Sequence, residues 1–288
     1  MGIESAMKLL TPKMKDGLSK YNNLECIDEI RLRRNRNLSV VCNGLIVDFR
    51  EIISNEDMEY AFKNAFNYSM HCYSKELAGG YITVDGGNRV GLCGTAVIPS
   101  GKLDEVDTIK YISSINIRIS REILGYGEKL YNTCLSDGLK GLLIIGPPSS
   151  GKTTLLRDIA RLLGRKHKVS LIDEMNELSY SYKGVPQLDV GKYTDVFVGY
   201  PKHIGIRTAV KVMSPEVIVC DEIGSKDDMK ALEYALHSGV HIISAVHGLD
   251  TDEVMKKRYI APLFNDKAFS FTAEIHRNMR EYSIKSVE

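Results

Sequence analysis

Gly146-Pro147-Pro148-Ser149-Ser150-Gly151-Lys152-Thr153 matches the pattern G-x-x-x-x-G-K-[ST], and an apolar stretch, Gly141–Ile145, leads directly into it. A glycine-rich turn between strand and helix presents successive backbone N–H groups at the positive end of the helix, which suits phosphate. In that chemistry Lys152 reaches the β- and γ-phosphates and the Thr153 hydroxyl ligates Mg²⁺; Thr154 ends the nucleotide-binding set. The second half of such a site is an acid at the end of another strand, and Asp221-Glu222 follow the apolar run Val217–Cys220. Asp221 is expected to hold Mg²⁺ through water, and Glu222 to polarise the attacking water. Adjacent carboxylates ending a buried strand are costly unless a metal or ligand compensates. ATP and Mg²⁺ are the expected ligands, and hydrolysis the expected reaction.

Other residues fall on the same edge. Asp173-Glu174 end the strand after the phosphate-loop helix, so that Glu174 either orients water or metal or, with its neighbour, caps the next segment. His247 ends the strand His241–Val246, where an imidazole can sense the γ-phosphate. Phosphoryl transfer also calls for positive charge, often from a neighbouring subunit. Arg207 and Lys211 share a helical face, and Arg118 closes the N-terminal region; each stands against a plain solvated salt bridge. Arg31, Arg33, Arg34 and Arg36 form a basic cluster. Without interleaved aromatics, and beside Asp28 and Glu29, it reads as a solvated strand face before a nucleic-acid contact.

These residues need a parallel sheet to bring them together. From Leu139 onward, strands at Gly141–Ile145, Val169–Ile172, Val217–Cys220 and His241–Val246 alternate with helices at Lys152–Leu163, Asp227–His237 and Asp252–Tyr259. The expected fold is α/β: a RecA-like P-loop domain over 139–288, ending in a hairpin over Ala268–Val287 that turns near Arg277-Asn278. Residues 1–123 read as a small α+β domain. Its strands lie at Ile30–Arg33, Leu38–Cys42 and Asn116–Ile119, its helix at Asn55–Tyr68, and glycine-rich hairpins across 79–101. Residues 1–20 read as a short amphipathic helix or loose arm broken by Pro12 and Gly17, and 124–138 as a linker.

Composition narrows the class. Among 288 residues, 38 Lys+Arg against 37 Asp+Glu leave a net charge of +1, with 43% hydrophobic residues. That excludes a disordered chain and argues against a wholly basic nucleic-acid-binding surface. No apolar run approaches the ~20 residues that span a bilayer, and the N-terminus lacks a secretory signal. The chain is expected in the cytoplasm, meeting a membrane only through a partner. Cys26, Cys42, Cys72, Cys93, Cys134 and Cys220 show no zinc spacing and read as isolated reduced thiols.

The segments GPPSSGKTTLLRDIARLL, SLIDEMNEL, GVPQLDVGKYTDVFVGYPK, MSPEVIVCDEIG and SGVHIISAVHG, in that order, resemble the stage III sporulation protein AA family of endospore-forming bacteria. IDEIRLRRNRNLSV and SSINIRISREI extend the likeness over nearly the whole chain. The resemblance implies an ATPase related to type II and type IV secretion ATPases, working as a hexameric ring. It would serve the channel between mother cell and forespore from the mother-cell side, through membrane-protein partners. Lys152, Thr153, Asp221 and Glu222 would take the Walker roles, Asp173 and Glu174 the acidic box, and His247 the histidine box. A ring would give Arg118 or Arg207 a reason to contact nucleotide. Two departures stand out: Asp221 where secretion ATPases commonly carry glycine, and Lys211 where an arginine is expected. The alternatives are a motor on single-stranded nucleic acid, which is not the expected partner, and a nucleotide-gated structural subunit of the channel base.

Overall fold

The computed structural model describes residues 2–66, 81–98, 106, 108–276 and 281–287. The chain divides into two compact units, Met1–Glu122 and Ile123–Glu288.

The first unit runs α1 (Gly2–Lys8), α2 (Pro12–Ser19), β1 (Ile27–Arg33), β2 (Asn37–Cys42), β3 (Leu45–Ile52), α3 (Asn55–Ala65), β4 (Tyr81–Thr83), β5 (Arg89–Val97) and β6 (Thr108–Arg118). Its strands form one antiparallel sheet in the order β3-β2-β1-β6-β5-β4. The expected α+β character appears, with one strand added. β3 pairs with β2 through Asn43-Gly44, both at positive φ, the backbone that a tight hairpin requires. Helix α3 starts at a reciprocal capping box between Ser54 and Asp57.

The N-terminal arm is neither loose nor broken at Gly17. Ala6, Leu10, Met14 and Leu18 are fully buried in the same core as Ile30, Leu32 and Ile117. Pro12 opens α2, where its missing N–H costs nothing. Gly17 lies buried inside α2, and a side chain there would displace the end of the Glu51 side chain, whose carboxyl carbon would be 2.6 Å away.

The cysteines also need correction. Cys26 and Cys42 form a disulfide, while Cys134 and Cys220 are free and buried and Cys93 is free and exposed. The pairing follows from register, because Ile27 of β1 lies opposite Cys42 of β2, an adjacency invisible in linear spacing. Cys72 and the expected Arg277-Asn278 turn lie outside the described residues.

The second unit runs α4 (Glu128–Cys134), β7 (Leu142–Gly146), α5 (Lys152–Leu163), β8 (Val169–Asp173), β9 (Thr194–Val198), α6 (Lys202–Val212), β10 (Val217–Glu222), α7 (Lys226–His237), β11 (His241–His247), α8 (Thr251–Met255), α9 (Ala261–Asn265), β12 (Phe271–Ile275) and β13 (Tyr282–Ser286). Its sheet has the order β13-β12-β7-β11-β10-β8-β9. All neighbours are parallel except the terminal β12–β13 hairpin.

Alternate residues of β7 feed two cores. Leu142 and Ile144 pack with α4 and α5, and Leu143 and Ile145 with α6 and α7. Helices on both faces leave these strands apolar throughout, as doubly covered parallel sheets require. The span 124–138 holds α4, whose Leu130, Tyr131 and Cys134 join the core of this unit. Strand β9 lies inside the GVPQLDVGKYTDVFVGYPK segment and has no counterpart in the expected strands. Helix α8 is shorter than the expected Asp252–Tyr259, because the chain turns through Lys256–Ile260 before α9.

Candidate functional site

Because β7, β8, β10 and β11 are parallel, Gly146, Asp173, Glu222 and His247 end on one edge of the sheet. The phosphate loop bridges β7 to α5. Ser149 (φ +59°) and Gly151 (φ +99°) adopt left-handed backbone there, the geometry that turns consecutive N–H groups inward. A side chain at Gly146 would displace the Ser150 hydroxyl, since its Cβ would lie 2.5 Å from Ser150 Oγ and 3.3 Å from Ile275 Cβ. Ser150 is 2% exposed, and its hydroxyl has no hydrogen-bond partner among the described residues. A buried, unsatisfied donor in a backbone cradle fits a phosphate group. Pro147 is half-buried and Pro148 exposed; Thr153 and Thr154, half-buried, lie in the first turn of α5.

Lys152 is only 4% exposed, yet polar partners surround it. Its Nζ donates to the carbonyl oxygens of Gly146 (3.0 Å) and Pro147 (2.9 Å), and lies 3.1 Å from Glu222 Oε1 and 3.0 Å from His247 Nδ1. The other imidazole nitrogen, Nε2, is 2.5 Å from Glu222 Oε2. A protonated lysine has donors only, so Nδ1 must accept from it. Nε2 then carries the ring proton and donates to Glu222, a tautomer assigned from the network.

Register explains why these side chains meet. His247 lies opposite Gly146 across β11 and β7. On β10 the pairing slips between Cys220 and Glu222, so that Glu222 lies opposite Ala245 and Asp221 is the extra residue of a bulge. Asp221 accepts from the Glu222 N–H at 2.7 Å, and its own carbonyl oxygen accepts from Ser244 Oγ at 2.8 Å. Burial first, with the negative charges of Glu177 and Glu222 adding to it, pushes the Asp221 carboxyl group above its ordinary range. Hydrogen bonding and Lys202 oppose that shift without cancelling it. A carboxylate whose charge is penalised by its surroundings, set on the phosphate edge, fits an Mg²⁺ ligand. Beneath it, burial raises the Cys220 thiol to about 11, which keeps it protonated.

Of the acidic pair on β8, Asp173 is fully buried and holds the following loop. It accepts from the N–H groups of Glu177, Leu178 and Ser179 and from Ser179 Oγ. Glu174 is exposed. Arg207 and Lys211 are exposed on α6, whereas Gly205, Ile206 and Ala209 face the core. Arg118 belongs to the first unit, 3.9 Å from Glu29. In the basic cluster, Arg31 pairs with Glu29 at 3.1 Å, Arg33 donates to Ser39 Oγ and Arg34 to the Ile112 carbonyl.

Two residues at the site escaped the sequence analysis. Lys202, buried at the start of α6, donates through Nζ to the Glu222 carbonyl oxygen and lends its charge to Asp221. A lysine in the first turn of a helix opposes the helix dipole, which was the available signal. Glu177, three residues beyond Glu174, is close enough to act on Asp221 electrostatically. Only the loop held by Asp173 brings it there.

The model of the family "Sporulation stage III, protein AA" matches residues 4–284. The chain belongs to that family. Stage III sporulation protein AA of Bacillus subtilis is 37% identical over 278 residues, covering 94% of this chain and 90% of that protein. Among solved structures, the pilus retraction motor PilT with bound ADP matches with a TM-score of 0.59 and 15% identity, over 91% of this chain and 77% of PilT. The Legionella pneumophila ATPase DotB matches with a TM-score of 0.56 and 16% identity, over 91% of this chain and 76% of DotB. This member of the sporulation family therefore has the RecA-like fold of secretion ATPases. No helix among the described residues is long and apolar enough to cross a membrane.

Proposed function

We propose that the chain hydrolyses ATP as a homo-oligomeric, hexameric motor and energises a membrane-associated channel between mother cell and forespore. It would act from the mother-cell cytoplasm, docked through membrane-protein partners. The observation that supports this best is the meeting of Lys152, Glu222 and His247 at the phosphate loop of a RecA-like sheet, in a chain of a sporulation family.

In this reading the loop Gly146–Gly151 offers its N–H groups to the phosphates, Thr153 and Thr154 add hydroxyls, and Lys152 exchanges its carbonyl partners for phosphate oxygens. Mg²⁺, held by Thr153 and through water by Asp221, would neutralise phosphate charge. Glu222 accepts the proton of the attacking water, and exposed Glu174 helps to orient that water. His247, bonded to both Lys152 and Glu222, reports on the γ-phosphate position. In a ring, Arg207 or Arg118 would supply charge in trans.

The test is steady-state ATP turnover across a protein concentration series, with and without single-stranded DNA, against Lys152→Ala. A rate per subunit that climbs with concentration and ignores DNA is expected. Turnover that survives in Lys152→Ala would sink the assignment, and strong stimulation by DNA would replace it with a nucleic-acid motor.

A further inference from the structure

Tyr126 stands beside the phosphate loop without belonging to it. A side chain at Gly151 would begin 3.8 Å from both Cε1 and the hydroxyl oxygen of Tyr126. That oxygen is buried and has no hydrogen-bond partner among the described residues. The rest of the residue is fixed from several sides. Its carbonyl oxygen accepts from the Tyr282 hydroxyl at 3.1 Å, and the two rings meet edge to face at 5.7 Å. The next residue, Gly127, donates its N–H to Asp158 Oδ2 at 2.7 Å, and Asp158 is buried against Arg161 at 2.6 Å. Asp158 and Arg161 both belong to α5, the helix that Lys152 opens.

A buried phenol oxygen without a partner is a standing cost to the fold, and it is placed here by the 126–127 peptide, held at its carbonyl by Tyr282 and at its N–H by Asp158. Burial raises the Tyr126 hydroxyl above its ordinary value, so it stays protonated and can donate. On the same loop Ser150 Oγ is a second buried, unpartnered hydroxyl, directly before Gly151. Two hydroxyls without partners beside one phosphate cradle point to a ligand with several acceptor oxygens.

We propose that Tyr126 is a nucleotide-binding residue whose hydroxyl donates a hydrogen bond to the phosphate chain of a nucleoside di- or triphosphate held by the loop. This rests on the nucleotide reading above and adds a contact from outside the loop motif.

The test is calorimetric titration of the full chain with ADP and, separately, with inorganic pyrophosphate, both with Mg²⁺, for wild type, Tyr126→Phe and Lys152→Ala. Tyr126→Phe should weaken both ligands about tenfold, the scale of one hydrogen bond to a charged acceptor. Because the hydroxyl has no hydrogen-bond partner among the described residues, the variant's Tm without ligand should not fall. In turnover, the KM for ATP should rise by a similar factor while kcat holds. Unchanged affinities overturn the proposal. Weakening of ADP but not pyrophosphate also overturns it, by moving the contact to the nucleoside, and so does a lower ligand-free Tm. Failure of the nucleotide reading looks different: wild type and Lys152→Ala then bind neither ligand.

Discussion

His247 Nε2 lies 2.5 Å from Glu222 Oε2, across the adjacent ends of β11 and β10. The same imidazole accepts from Lys152 through Nδ1. One neutral ring thus ties the loop lysine to the strand-end carboxylate, and a change in the partners of Lys152 is felt at Glu222 within two hydrogen bonds.

In the proposed mechanism Glu222 is the general base, so Glu222→Gln should retain ADP binding and lower kcat by about 100-fold. His247→Gln should have a smaller effect on kcat than Glu222→Gln, because His247 contacts Glu222 and Lys152 and in the proposed mechanism acts only through them. Turnover paired with ADP titration separates the two variants. A Glu222→Gln protein with wild-type kcat would remove Glu222 from the chemistry.

Asp221→Asn should stabilise the ligand-free protein while removing the carboxylate proposed above to hold Mg²⁺. The folded-state pKa of Asp221 is raised, chiefly by burial. Its contribution to stability is therefore fully present below the unfolded value and is lost as pH rises through the folded one. At neutral pH the ionised carboxylate opposes folding, and the amide relieves this by on the order of 1 kcal/mol. Urea denaturation at pH 7 without Mg²⁺ should place the variant above wild type, and the difference should shrink as pH falls toward 4.

Asp158→Ala should cost about 3–5 kcal/mol, because it leaves Arg161 buried without its partner and frees the Gly127 N–H. Chemical denaturation measures the loss. A value under about 1 kcal/mol would show the pair to be solvated.

Glu274 anchors the segment after His247. It accepts from the Thr251 N–H and hydroxyl and pairs with Lys285 at 2.7 Å. Burial disfavours its charge, but Lys285 and Thr251 outweigh that and hold the carboxyl group below its ordinary value of 4.5. The stabilisation is present above that value and is lost as pH falls through the lower folded-state value. Glu274→Gln should flatten the acid limb of a Tm-against-pH curve; an unchanged limb would show that Glu274 does not contribute to it.

The phosphate loop, the strand-end acids and His247 were legible in the sequence because each depends on local chemistry. A glycine pattern, an apolar run and a polar residue at its end are all readable within about ten residues of one another. The alternation of apolar strands and helices likewise declared a parallel sheet, since burial on both faces leaves its mark on every strand. The family segments carried the rest of that identification.

What only the tertiary structure decided was which of these groups meet. Lys152, Glu222 and His247 converge through strand order and a one-residue bulge at Asp221, and neither can be read from spacing along the chain. Register likewise decided the Cys26–Cys42 pair, and packing settled a stretch that reads as either a short amphipathic helix or a loose arm as two core helices. Tyr126 shows the same limit: its sequence neighbours are two glycines, and only the fold of α4 against α5 sets its hydroxyl beside Gly151. Local patterns record what a residue type prefers, whereas proximity across a sheet depends on contacts between residues far apart in the chain.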